Sequence, residues 1–234
     1  MIVLGIDSST QVNTVALLRD GQLLCEAVLN TSRNHSQRLM PMIDMLLKEA
    51  GMAVENIDGI AVSSGPGSFT GLRIGMTTGK ALAWSLNKPL VGIPSLDGVA
   101  FNAQGVTGVI CPILNARRNQ VYTALYKMDG GELNRISDYM AVEPIELIKQ
   151  LQSHKQVILL GDGVEEFNSI FAENLGDRLV VLSSANRLPR ACHIAYLGWK
   201  RLLKGEVDDV VGLAPLYVRN ADAEIKLELK ERSI

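Results

Sequence analysis

Three short segments hold the residues of this 234-residue chain that could do chemistry. Asp7-Ser8-Ser9-Thr10 offers a carboxylate and three hydroxyls directly after an apolar run. A carboxylate so placed could serve as a general base, or as a ligand of metal-bound water in an ATP-using protein. Asn115-Ala116-Arg117-Arg118-Asn119 closes a second apolar run in the same way. The third segment runs from Ser63 through Gly65, Pro66, Gly67, Ser68, Phe69 and Thr70 to Gly71, Leu72, Arg73, Ile74 and Gly75. Its glycines let backbone approach a ligand closely. The helix it opens has an N-terminus suited to an anion, although Ser68 or Thr70 equally suits the role of helix cap.

Several familiar chemistries do not fit these residues. A P-loop needs glycine, four residues, then Gly-Lys-Ser/Thr. Here Gly79-Lys80 is followed by Ala81, and position 74 holds isoleucine. No GxGxxG order is present, and no serine stands in a Gly-x-Ser-x-Gly elbow. His35, His154 and His193 are the only histidines, and none has a second within a helical turn, which is poor spacing for a metal. Cys25, Cys111 and Cys192 are far apart and odd in number, so they read as small buried hydrophobes rather than a disulfide framework.

The positioning elements follow from periodicity. Strands are expected at 2–6, 13–18 and 22–29, a helix at 36–50, a strand at 59–63, a helix at 70–86, a strand at 90–93 and a helix at 95–103. The order then repeats. Strands fall at 109–114, 121–126 and 132–140, a helix at 145–152, a strand at 157–160, a helix at 164–173, a strand at 179–182 and a helix at 190–203. Asp7 and Asn115 sit at matching places in the two halves. A duplicated β-β-β-α-β-α unit implies an α/β fold of the actin/hexokinase/Hsp70 (ASKHA) type, in which the turns after the first strands hold phosphates by backbone N–H groups. The halves divide into a partner-docking subdomain at 1–105 and a second subdomain at 106–234. A charged end from Glu224 to Arg232 is expected as a solvated helix or frayed coil.

Composition narrows the class. Net charge is −2 and 47% of residues are apolar, so the chain is globular with no global drive toward nucleic acid. No apolar run approaches membrane-spanning length. The start, Met1-Ile-Val-Leu-Gly-Ile-Asp7, lacks the basic region of a signal peptide, and a cytoplasmic protein with no membrane partner is expected.

Two helices suggest a contact surface. Gly71, Gly75 and Gly79 fall four apart, with Ala83 next in the row, and so share one helix face. Glycine inside a helix costs about 1 kcal/mol relative to alanine, so the stripe reads as a smooth face for another backbone. On helix 36–50, Leu39, Met42, Ile43, Leu46 and Leu47 form a core stripe, while Met40 and Met45 add adaptable apolar surface.

At Met1–Thr10, His35-Ser36-Gln37-Arg38, Ser64–Gly75, Ala116–Tyr122 and Pro215-Leu216-Tyr217-Val218-Arg219 the sequence resembles the TsaB (YeaZ) family over essentially its whole length. The resemblance implies a part in forming threonylcarbamoyladenosine at position 37 of tRNAs that read codons beginning with A. It also implies a non-catalytic paralogue that binds and activates a TsaD-type protein, with a TsaE-type ATPase as a further partner. Isolated copies would pair as a homodimer, and tRNA would be met only through the complex. TsaD-type proteins carry His-x-x-x-His for a metal where this chain has Ser95 and Val99, so no metal or cofactor is expected. The family commonly has Asp where this sequence has Asn115, which weakens nucleotide chemistry further.

The expected docking residues are Leu39, Met40, Met42, Ile43, Met45, Leu46, Gly71, Arg73, Ile74, Gly75, Thr78, Gly79 and Leu82. Leucine at Gly75 is expected to abolish docking and spare the fold. A vestigial nucleotide site would comprise Asp7, Ser8, Ser9, Thr10, Gly65, Gly67 and Ser68. The competing readings are an ATP-dependent phosphotransferase and a metallopeptidase-like hydrolase of the same fold class. Arg33, Arg38, Arg117 and Arg118 are candidates for RNA phosphate contacts.

Overall fold

A computed structural model describes residues 1–31 and 35–219. Arg33 and the charged end beyond 219 lie outside the described residues. The first half contains β1 (Ile2–Asp7), β2 (Val12–Arg19), β3 (Gln22–Asn30), α1 (His35–Glu49), β4 (Gly59–Gly65), α2 (Phe69–Leu86), β5 (Leu90–Pro94) and α3 (Ser95–Ala100). The second contains β6 (Val109–Asn115), β7 (Val121–Thr123), β8 (Tyr126–Asp129), β9 (Glu132–Arg135), β10 (Met140–Val142), α4 (Pro144–Leu151), β11 (Val157–Leu160), α5 (Val164–Leu175), β12 (Leu179–Val181) and α6 (Ala191–Leu203).

The first sheet has the order β3-β2-β1-β4-β5, with β4 and β5 joined in parallel to β1. The second runs β10-β7-β6-β11-β12, again with parallel pairs beyond its first strand, and with the β8–β9 hairpin attached to β6. The duplicated α/β plan is therefore visible strand by strand. One detail differs from the sequence reading: the strands expected at 121–126 and 132–140 are each broken. The Leu125 amide donates to Ser137 Oγ at 2.8 Å instead of to a neighbouring strand, which interrupts the ladder between β7 and β8.

Each sheet is covered on both faces, which is why β1, β4 and β11 are apolar almost throughout. Leu4, Ile6, Val15, Leu17 and Val62 meet Leu39, Met42, Ile43 and Leu46 of α1 in one core. Val3, Ala16, Leu18, Ala61 and Val91 point the other way, onto Ile194 and Ala195 of α6. In the second half Leu96, Val99 and Ala100 of α3 pack with Ile110, Leu114 and Ile158. The opposite face carries Leu147, Phe167 and Phe171 of α4 and α5.

Although α6 follows the second sheet in sequence, it packs on the first. Two glycines permit this. A Cβ on Gly5 would overlap the Ala191 carbonyl, and one on Gly198 would overlap Ala61. The Glu26 carboxylate, 5% exposed, accepts from the Cys192 amide at 3.1 Å and pairs with Arg190, a favourable charge at a helix N-terminus. Residues 204–219 then strap the first half. The Asp208 amide donates to Leu90 O at 2.9 Å, which covers part of the β5 edge. Leu216 N donates to Ser64 O at 2.7 Å. No helix among the described residues is long and apolar enough to cross a membrane.

Candidate functional site

The first polar turn is closed by the glycine loop that follows β4. Asp7, Ser8, Ser9 and Thr10 are all buried. Ser68 N donates to Ser9 O at 2.6 Å, and Ser8 Oγ donates to Gly71 O at 2.8 Å. A Cβ on Gly67 would overlap the Ser9 carbonyl, so only glycine lets the loop lie so close. Gly65 N donates to Ser95 Oγ at 3.1 Å. Ser68 caps α2, accepting from Gly71 N at 3.3 Å.

This packing uses most of the polar groups a phosphate would need. Asp7 Oδ1 accepts from the Ser9 amide at 2.8 Å, while Asp7 Oδ2 and Ser9 Oγ are buried without a partner of good geometry. Burial raises the Asp7 pKa above the usual carboxylate range, with the Ser9 amide and the nearby Ser9 and Ser63 hydroxyls pulling the other way. Ser95 is fully buried with its hydroxyl 2.7 Å from that of Ser63, and Val99 lies inside the α3 core. Neither position presents a ligand to a metal. No group of three His, Cys, Asp or Glu among the described residues is placed to hold one.

The second polar turn is open. Arg117, Arg118 and Asn119 are exposed, and all three have left-handed backbone, φ 52° to 60°. Such geometry costs a non-glycine residue about 1–2 kcal/mol. Asn115 holds it, its Oδ1 accepting from Arg117 N at 2.7 Å. Asp162 Oδ1 in turn accepts from Asn115 N at 3.0 Å, and the Asn115 amide nitrogen donates to Glu166. Burial pushes Asp162 up to about 6.

The sequence reading of the glycine stripe requires correction. Gly71, Gly75 and Gly79 are buried and face the chain's own sheet. A side chain there would run into the Ser8 carbonyl, the Ser8 hydroxyl and Val62 respectively. They lower α2 onto β1 and β4 and offer nothing to a partner. Leucine at Gly75 would consequently strike Ser8 and disturb the fold instead of sparing it. Leu39, Met42, Ile43 and Leu46 are likewise core residues. Of the expected docking set, Met40, Met45 and Arg73 are exposed, and Ile74, Thr78 and Leu82 are half-buried. Trp84, 72% exposed on α2, was missed. It lies one residue beyond Ala83, and that off-stripe position was the one signal of its exposure.

The remaining nucleophile candidates are structural. Burial pushes the Cys111 and Cys192 thiols up to about 12. Burial, aided by the positive charge of Arg190, lowers His193 to about 4, and its ring nitrogen Nδ1 is 3.2 Å from Gly98 O.

Comparison with known proteins agrees with this geometry. The family model described as TsaD, tRNA N6-adenosine threonylcarbamoyltransferase, matches residues 25–227. The chain is 37% identical over 229 residues to the tRNA threonylcarbamoyladenosine biosynthesis protein TsaB of Bacillus subtilis, covering 97% of each. Among solved structures, YeaZ from Pseudomonas aeruginosa is 29% identical with a TM-score of 0.80, over 92% of this chain and 99% of that one. The ADPNP-bound activator of 2-hydroxyisocaproyl-CoA dehydratase from Clostridium difficile aligns with a TM-score of 0.57 at 11% identity, over 89% of this chain and 99% of that one, a likeness of fold alone. The duplicated actin-like sheets and the whole-length match converge on one assignment: the chain belongs to the TsaB (YeaZ) family.

Proposed function

We propose that this protein acts in tRNA threonylcarbamoyladenosine biosynthesis as a non-catalytic subunit that docks onto and activates a TsaD-type protein. The role in this modification is supported by relatives named for it across their whole length. The docking reading rests on one observation, the outer surface of the α1/α2 layer. There Met40 and Met45 are nearly half exposed, and Ile74 and Leu82 lie half-buried against the core that α1 packs on; Trp84 is the most exposed aromatic of α2. Large apolar side chains on adjoining helices are what an interface core is made of, and methionine adapts to more than one partner. The same surface would pair two copies of the chain, so homodimer and heterodimer compete. A TsaE-type ATPase joins as a further partner.

Met45→Asp tests this. It places a charge on the outer face of α1, leaving the packed stripe untouched. Co-purification with the TsaD-type partner should fall at least tenfold while the melting temperature stays unchanged. Undiminished capture would show that the partner sits elsewhere. Calorimetry with ATP and magnesium separates the enzyme readings, because turnover dependent on Asp7 would replace the docking role with catalysis.

A further inference from the structure

Neither polar turn and none of the docking residues contributes to a cavity of about 300 Å³ that lies where three segments of chain meet. Leu18 and Leu23 reach it from the β2–β3 hairpin, Phe101 and Gln104 from the link between the halves, and His193 and Tyr196 from α6. Its volume suits a molecule of one or two rings.

One wall is aromatic. The Phe101 ring meets His193 edge-on with centroids 5.3 Å apart, and meets Tyr196 at 5.3 Å with a tilt of 38°. Tyr196 continues the row to Trp199 at 5.7 Å. Rings so arranged offer both faces and edges, the geometry in which a further aromatic ring gains most. Leu18 and Leu23 close the other side. Among the described residues no charged side chain lines the cavity, and Arg190, near it on the chain, is paired with Glu26. A phosphate or carboxylate would find no cation there, so the occupant is uncharged.

A single histidine sets the direction of binding. His193 Nδ1 is 3.2 Å from the Gly98 carbonyl, which can only accept, so Nδ1 carries the proton and Nε2 is an acceptor. Nε2 has no partner among the described residues and is not sealed in protein. Burial lowers the ring's pKa to about 4, so that acceptor persists at neutral pH. The Cys192 thiol, pushed up to about 12 by burial, lines the cavity as a soft apolar group.

We infer that this cavity binds a small uncharged aromatic molecule carrying one N–H or O–H donor, of the indole or phenol kind. Its rings lie against Phe101 and Tyr196, and its donor meets His193 Nε2. A saturated molecule of equal size would fill the space without the ring contacts. Because the occupant touches the hairpin, the link and α6 together, binding favours the packing of α6 on the first sheet and raises the melting temperature. The inference goes beyond the docking role and does not depend on it.

NMR titration of the nitrogen-15-labelled full-length chain tests it with three probes. Indole has rings and a donor, N-methylindole keeps the rings without the donor, and cyclohexanol keeps a donor without the rings. Indole should bind with a dissociation constant of about 1 mM or below, moving the amide signals of Gly21, Gln104, His193 and Tyr196. N-methylindole should bind about fivefold more weakly, the worth of one hydrogen bond, and cyclohexanol more weakly still. His193→Phe keeps a ring and removes the acceptor. It should bring indole down to the level of N-methylindole and leave N-methylindole unchanged, a split that a merely structural role would not produce. Tyr196→Leu should weaken both indoles and spare cyclohexanol. Equal affinity for the three probes in the unaltered chain would overturn the inference without recourse to any variant. So would unmoved cavity signals with indole at about 5 mM, or an indole affinity that His193→Phe leaves intact.

Discussion

The turn after β1 and the turn after β6 occupy equivalent places in a duplicated fold, and they have gone opposite ways. Asp7-Ser8-Ser9-Thr10 is buried under the Gly67–Gly71 backbone, with the Ser9 carbonyl and the Ser8 hydroxyl engaged from above. Asn115–Asn119 stands open, its two arginines exposed and its backbone left-handed. The cause lies in the loop after the next parallel strand of each half. After β4, Gly67 in the loop and Gly71 at the start of α2 let the backbone lie flat on the first turn. After β11, Gly161 and Gly163 press against Ile113 further down the strand and leave the second turn uncovered. One half has used its turn for internal packing, and the other leaves Arg117, Arg118 and Asn119 exposed.

Substitutions can break this contrast, and the largest effect is expected at the closed turn. Gly71→Leu drives a side chain into the Ser8 carbonyl, where backbone cannot yield. It should cost about 4 kcal/mol or more, leaving little folded protein in urea denaturation. A stable, partner-binding Gly71→Leu protein would mean that the loop does not close on the turn.

Asp7 and Asp162 sharpen the comparison through pH. Both have folded pKa values raised by burial, so each contributes stability at low pH that is lost as the carboxylate ionises. For Asp162 that loss runs from about 4, where the unfolded group titrates, to about 6. Asp162→Asn keeps an acceptor for the Asn115 amide and should flatten stability against pH in that window, a gain of about 2–3 kcal/mol at neutral pH. Asp7→Asn should likewise stabilise the protein above the ordinary carboxylate range, because it removes a buried, half-partnered carboxylate. Thermal melts across pH check both. A steeper pH dependence in either variant would show that its carboxylate is stabilised by ionisation instead.

The smallest effect is expected at the open turn. Arg117→Gly relieves one left-handed residue and should raise stability by about 0.5–1 kcal/mol. An unchanged or lowered melting temperature would show that the Arg117 side chain contributes more than its backbone costs.

Much of the fold was legible from residue periodicity because its signals are local. Alternation and apolar runs located nearly every strand. The matched turns at Asp7 and Asn115 carried the duplication. The broken strands near 124 and 136 were not legible, because the break comes from a Ser137 hydroxyl reaching Leu125 across the hairpin. The site was legible in its residues but not in its orientation. Four-residue spacing put Gly71, Gly75 and Gly79 on one face, yet spacing is silent on whether that face meets solvent or sheet.

The sequence by itself determined the element order, the repeated α/β plan and the family. Those depend on residue types and on neighbours in the chain. Only the tertiary structure decided which way α2 is turned, that α6 and the tail return to the first sheet, and that Tyr217 stacks on Phe69 across 148 positions of chain. Those outcomes follow from close packing between distant segments, where a glycine marks a close approach without naming what approaches it.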